Sequence, residues 1–154
     1  MNSKLRAPII IIFILSFVAL VMGIVFLYEA FSRQSYMVDA MSQEKISLSD
    51  LGIKNGPPGI IDNMEKAQIA ADTVRAHRHT IAPSYGDLMS GGKYDPANPK
   101  HLTYAQALNI ENYLYLGVLG FGVIQIAMAA GGFMIIVALA LGIIGLALLK
   151  LNKV

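Results

Sequence analysis

The residues best equipped for chemistry are Arg75-Ala76-His77-Arg78-His79, with Tyr85, Asp87 and His101 downstream. Imidazoles together with a carboxylate can hold Zn, Cu or non-haem Fe, and three histidines are enough in number. Their spacing works against a shared ion. On a helix, His77 and His79 point about 200° apart and meet at one centre only if the helix has ended between them. Arg75 and Arg78 would also place positive charge beside a bound cation. The alternative is a solvated or locally hydrogen-bonded helix end, whose cations sit well at the negative pole of the helix dipole. His77, His79 and His101 stand as candidate ligands on residue type alone. The expectation is no catalytic residue, no metal and no cofactor.

Other chemistry is thinner still. Gly91-Gly92 and Gly131-Gly132 lack the strand-loop-helix setting of a phosphate loop, and no serine has the context of a nucleophile elbow. Met37, Met41 and Met89 suggest copper by residue type only. With no cysteine there is no disulfide, thiolate metal site or lipid-modified cysteine. The 12 Lys and Arg against 10 Asp and Glu are scattered, which argues against a nucleic-acid partner.

The elements that must position these residues are built mostly for an apolar environment. Hydrophobic residues make up 55% of the chain, above the usual share for a globular domain. Residues 112–149 contain no charged side chain and carry Gln125 in their midst. As one helix they would extend roughly 57 Å, against a hydrocarbon slab of about 30 Å. Residues 7–28 form a second charge-free run of spanning length. Lys4 and Arg6 resemble the start of a signal peptide. The apolar run that follows, however, is about 21 residues against the usual ~7–15, and Tyr28-Glu29-Ala30-Phe31-Ser32 offers no small-x-small cleavage site. An uncleaved signal anchor is expected. Lys4 and Arg6 flank the first span and Lys150 and Lys153 the last, so both termini should be cytoplasmic and residues 32–112 outside. A hairpin inside residues 112–149 would leave too few residues for its turn. With no charge inside either span there is no proton relay, ion pathway or voltage sensor to propose.

The segment between the spans is marginal in size for an independent core and should lean on the long helices. Lys54-Asn55-Gly56-Pro57-Pro58-Gly59 is a breaker cluster. Asp62 with Glu65 makes a capping-box pattern. Met64, Ala67, Ala71, Val74, Arg78 and Ile81 then recur at helical spacing until Pro83, predicting a helix over residues 63–82. Residues 83–100 read as a surface loop. Thr103 with Gln106 repeats the capping-box pattern, predicting a last helix from about Tyr104 with its membrane part at residues 126–149. The division is an anchor over 1–31, an extracytoplasmic cap over 32–103 and a long helix over 104–154. The outer half of that helix carries Leu108, Tyr113, Leu114, Leu116, Val118, Leu119 and Phe121, an apolar surface that needs a cover: the helix over 63–82 and an extension of the first span within the chain, and a partner subunit beyond it.

Small residues recur where two membrane helices would touch. Ser16, Gly23 and Ala30 are spaced by seven, with Ala19 beside them, and Gly131, Ala138 and Gly145 are spaced by seven, with Gly142 beside them. Small faces let backbones approach closely when lipid removes the hydrophobic drive for association. The competing explanation is that apolar spans contain Gly and Ala often. Gly120, Gly122 and Gly132, together with Gln125, are left over for a further partner.

Glu44-Lys45-Ile46, Ala71-Asp72 with His77, and Tyr85-Gly86-Asp87-Leu88, set between an anchor and a Gly-rich final span, resemble a group of small two-span bacterial membrane proteins common in actinobacteria. That resemblance covers most of the chain and implies the two-span topology. The stretches around Pro83 and from Pro96 to Pro99 depart from the group's usual Gly-Gly pattern. Some relatives carry a dioxygenase label, which the residues here do not support, because no facial set of His plus carboxylate can be placed. The group's function is not defined, so the resemblance implies topology and little else.

These observations point to an all-α membrane protein, two transmembrane helices with a small helical extracytoplasmic cap. The expected function is a non-catalytic accessory or scaffold subunit of a larger plasma-membrane complex. Its partners would be the lipid bilayer and other integral membrane subunits. Two alternatives stay open: a self-associating small membrane protein, and metal handling or catalysis through His77, His79 and His101.

Overall fold

A computed structural model of the chain describes residues 3–54 and 56–152, with side chains from Arg6 onward. The side chain of Lys4, and Asn55 and Lys153, lie outside the described residues. Four helices follow in order, α1 (Ser3–Gln43), α2 (Met64–Ile81), α3 (Tyr85–Met89) and α4 (Pro99–Leu151). Helix accounts for 78% of the structure, and the extended pairing among the described residues is one isolated antiparallel bridge between Ser47 and Ile60.

Both α1 and α4 are long and apolar enough to cross a membrane. Only 17% and 11% of their most apolar stretches are buried inside the chain. Phe17 and Ile24 of α1, and Ile126, Phe133 and Ile143 of α4, turn outward.

The chain divides into two compact units. The first comprises residues up to Gln34 and from Val123 on, an antiparallel pair of apolar helices. The second is Ser35–Gly122. Its core joins Met41, Leu48, Ile61, Ala67, Ala70, Ala71, Val74, Leu114 and Phe121. Three alanines of α2 are wholly buried. Their small side chains let this short helix lie close against its neighbours, and a Cβ on Gly117 would stand 4.0 Å from Ala67. The connection before α2 turns on residues with left-handed backbone, among them Gly59 at φ +88°, a conformation that costs glycine nothing.

Several helix ends differ from the sequence expectation, each for a local reason. Asp62 does not cap α2. Its carboxylate accepts from Lys66 Nζ at 3.0 Å, and Asn63, one residue on, accepts the Lys66 amide at 3.0 Å as the N-cap. α4 starts at Pro99, five residues before Tyr104. The Asn98 side chain accepts from the Lys100 amide at 3.0 Å, and proline suits the first helical position, where its missing N–H has no intrahelical partner to lose. Thr103 turns its hydroxyl back to the Pro99 carbonyl at 2.8 Å and caps nothing. The loop expected over 83–100 contains α3, capped by Ser84, which accepts from the Asp87 amide at 3.1 Å. α1 continues past the 1–31 anchor to Gln43. An exposed Glu29–Arg33 pair one turn apart and the packing of Met37 and Met41 on α4 accompany that extension.

Candidate functional site

Of the chemically capable residues of the second unit, Glu111, Tyr104 and His79 gather on Arg78. It lies on the apolar stripe of α2 and is 7% exposed, facing Glu111 of α4, which is 6% exposed. The guanidinium grips the carboxylate with both arms, Nε donating to Oε2 at 2.6 Å and Nη2 to Oε1 at 3.3 Å. Nη1 donates to the hydroxyl of Tyr104, which is 1% exposed. The guanidinium carbon also lies 4.8 Å from the Tyr104 ring centroid, within cation–π range, and the Tyr85 ring tilts against Tyr104 at 6.3 Å. Donation to the Glu111 carboxylate holds the Arg78 proton more firmly than usual, against the opposing effect of burial. Nε and both Nη nitrogens of this arginine are engaged inside the protein, by Glu111, Tyr104 and His79. The arrangement suits a structural clamp between α2 and α4.

The histidines do not converge. Nε2 of His79 lies 3.2 Å from Arg78 Nη2 and, facing a group that can only donate, acts as the acceptor, which assigns its ring hydrogen to Nδ1. His77 is exposed, its carbonyl accepting from Thr80. His101 accepts the Asp95 amide on Nδ1 at 3.0 Å and stacks on Tyr94 at 5.8 Å. Among the described residues no group of three or more His, Asp or Glu is placed to share an ion. Asp87, also near the cluster in sequence, accepts from Ser84 at 2.6 Å in the cap of α3.

A second staple joins α2 to α4 on the surface. Asp72 accepts from the Tyr115 hydroxyl at 2.7 Å and from Gln68 at 2.9 Å, and these bonds, Gln68 first, hold its carboxyl below the usual carboxylate range.

In the first unit the small residues form the seam between the helices. A Cβ placed on Gly23 would lie 2.9 Å from the Gly131 carbonyl oxygen, and one on Gly131 would lie 2.9 Å from Leu27 and 3.0 Å from the Gly23 carbonyl. Ser16 donates to the Ala138 carbonyl at 2.8 Å, tying a side chain of one helix to the backbone of the other. A Cβ on Gly142 would stand 3.4 Å from that same hydroxyl, and one on Gly145 only 3.0 Å from the Phe13 ring. Ala19, Ala30 and Ala138 are buried. A seam that repeats every seven residues is the pattern of left-handed pairs crossing at about 20°.

The leftover residues separate into two groups. Gly120, expected to face a partner, lies under Met37 instead: an added Cβ would meet its terminal methyl at 2.8 Å. α1 continues to Gln43, far enough to cover it. Gly122 and Gly132 have open space where a Cβ would stand, and Gln125 is exposed. Gln125, Ala129 and Gly132 follow at spacings of four and three, so they share one face of α4, about a third of a turn from the Gly131 seam.

Sequence reasoning missed the Arg78–Glu111–Tyr104 centre. Its signal was present: Arg78 occupies a position in the apolar register of α2, and Glu111 is the last charge before the run 112–149. A cation on a buried stripe requires a nearby anion.

Comparison with protein-family models, with curated proteins and with solved structures finds no match.

Proposed function

We propose that the chain is a non-catalytic accessory or scaffold subunit of a larger plasma-membrane protein complex, held in the bilayer by α1 and α4. The observation that carries this reading is an uncovered apolar face in the second unit, where Leu116 and Leu119 of α4 are 64% and 63% exposed. The α1 segment that packs on Gly117 and Gly120 through Met41 and Met37 also exposes Asp39 and Gln43. A carboxylate at that level belongs in water or among headgroups. Lipid tails therefore do not cover these leucines, and another protein surface does. The commitment of Arg78 to Glu111 and Tyr104 supports a non-catalytic role.

The open face of Gln125, Ala129 and Gly132 supplies the contact inside the membrane. Gly132→Leu and Gln125→Leu should weaken assembly about tenfold or more, the equivalent of ~1.4 kcal/mol, because side-chain bulk or the loss of an amide disturbs a close helix contact. Native-gel migration of the tagged chain, extracted in mild detergent at equal expression, reads the effect. Assembly equal to the parent for both variants would remove this face from the account.

Both termini face the cytoplasm in this reading, with the second unit outside, because Arg6 and Lys150 flank the outer ends of the spans. A phosphatase reporter inserted near Gly91 should be active outside, and a fluorescent reporter after Val154 should light in the cytoplasm. Reporters on the same side would contradict two spans with the second unit outside.

A further inference from the structure

Just past the end of α1, the second unit holds an open recess of about 290 Å³. Ile46, Ile110 and the Tyr113 ring supply apolar walls, and Glu44 and Asn109 supply polar groups. Its volume falls at the bottom of the range for small-molecule sites, ~300–1,000 Å³, and suits one long side chain better than a free ligand. No basic side chain lines it, and the Glu44 carboxylate has neither a hydrogen bond nor a salt bridge among the described residues, while the Glu44 backbone N–H donates to the Met41 carbonyl. The Tyr113 hydroxyl is held above its usual range, first by burial and then by the Glu44 carboxylate, so the anion lies close to the aromatic wall. Asn109, Tyr113 and Leu116 sit on successive turns of α4. The recess thus opens onto the apolar face that Leu116 and Leu119 continue.

We propose that this recess receives an arginine, or less favourably a lysine, from an otherwise apolar helix of a neighbouring subunit. The inference rests on the accessory-subunit reading and names the chemistry of that partner. A guanidinium can donate to Glu44 and to the Asn109 carbonyl while lying against the Tyr113 ring. Its aliphatic stem then covers Ile46 and Ile110. A second copy of this chain is a poor occupant, because its own apolar runs, residues 7–28 and 112–149, contain no arginine or lysine to present from an apolar helix.

Two measurements test it. Ring-labelled tyrosine spectra of the purified full chain should show a saturable shift at Tyr113 with n-butylguanidinium, none with n-butylurea, and none with either in Glu44→Gln. In membranes, Glu44→Lys should lower assembly about tenfold or more, as for loss of a desolvated charge pair. Glu44 is exposed, so unchanged melting of the variant serves as the folding control. Glu44→Lys assembling like the parent while Leu116→Ser fails would overturn the cation and leave the docking face standing. Both variants assembling normally would overturn the accessory-subunit reading itself. A Tyr113 shift produced equally by phosphatidylethanolamine in nanodiscs, with assembly indifferent to Glu44, would assign the recess to lipid and overturn the proposal.

Discussion

Glu111→Ala should destabilise the second unit by about 3–5 kcal/mol, because it strips a buried guanidinium of its counter-charge while leaving the cation in place. Arg78 and Glu111 are both more than nine-tenths buried and meet through two hydrogen bonds. Water cannot enter freely to replace the lost carboxylate. Arg78→Met paired with Glu111→Leu should recover most of the loss, since well-packed apolar residues often substitute for a buried pair at little cost. Tyr104→Phe, which removes one donor–acceptor contact and keeps the ring under the guanidinium, should cost nearer ~1–3 kcal/mol. Hydrogen exchange of the buried α2 amides at Ala70 and Ala71, in detergent, reads the local opening energy of this unit directly. Single and double variants all within ~0.5 kcal/mol of the parent would mean that the pair clamps nothing.

Gly131→Leu should open the helix pair of the first unit, whereas Gly132→Leu, one residue along, should leave it closed. At Gly131 even a methyl would stand 2.9 Å from Leu27 and 3.0 Å from a backbone oxygen that cannot rotate away, while at Gly132 there is open space. Overpacking of this kind costs typically ~1–3 kcal/mol. Gly23→Leu, on the other side of the same contact, should behave like Gly131→Leu. The chain has no cysteine, so dyes placed at Ile10→Cys and Leu146→Cys, both exposed positions in the first unit, report separation as SDS is added. Gly131→Leu should separate at a lower SDS fraction than Gly132→Leu. Identical midpoints would mean that the seam is not held by close backbone approach.

The sequence carried the long helices openly, because a charge-free run longer than a bilayer is thick has few structural solutions. It also carried the seven-residue spacing of Ser16, Gly23 and Ala30 and of Gly131, Ala138 and Gly145, since small residues on one helical face survive as a simple period. Which residue meets which could not be read, because the antiparallel register depends on the whole intervening chain. Arg78 and Glu111 are 33 residues apart with a loop and α3 between them, and no local pattern links such a pair. The helix ends failed at finer scale. Asp62 and Asn63 are both good caps, and the lysine at position 66 decides between them by drawing off the aspartate. Pro99 and Asn98 outcompete Thr103 for the start of α4 for reasons visible in the residues themselves. Gly120 was assigned to a partner because an extension of the first span, though a candidate cover, carries no signal of which α4 residues it reaches; Met37 lies over this glycine.

The most direct test of the central claim is the mass of the particle that contains the chain after mild-detergent extraction from native membranes, measured by native mass spectrometry. The account predicts a heteromer of fixed stoichiometry in which the 16.6 kDa chain accompanies larger membrane subunits. A particle whose protein mass is 16.6 kDa, or a whole-number multiple of it, would contradict the account.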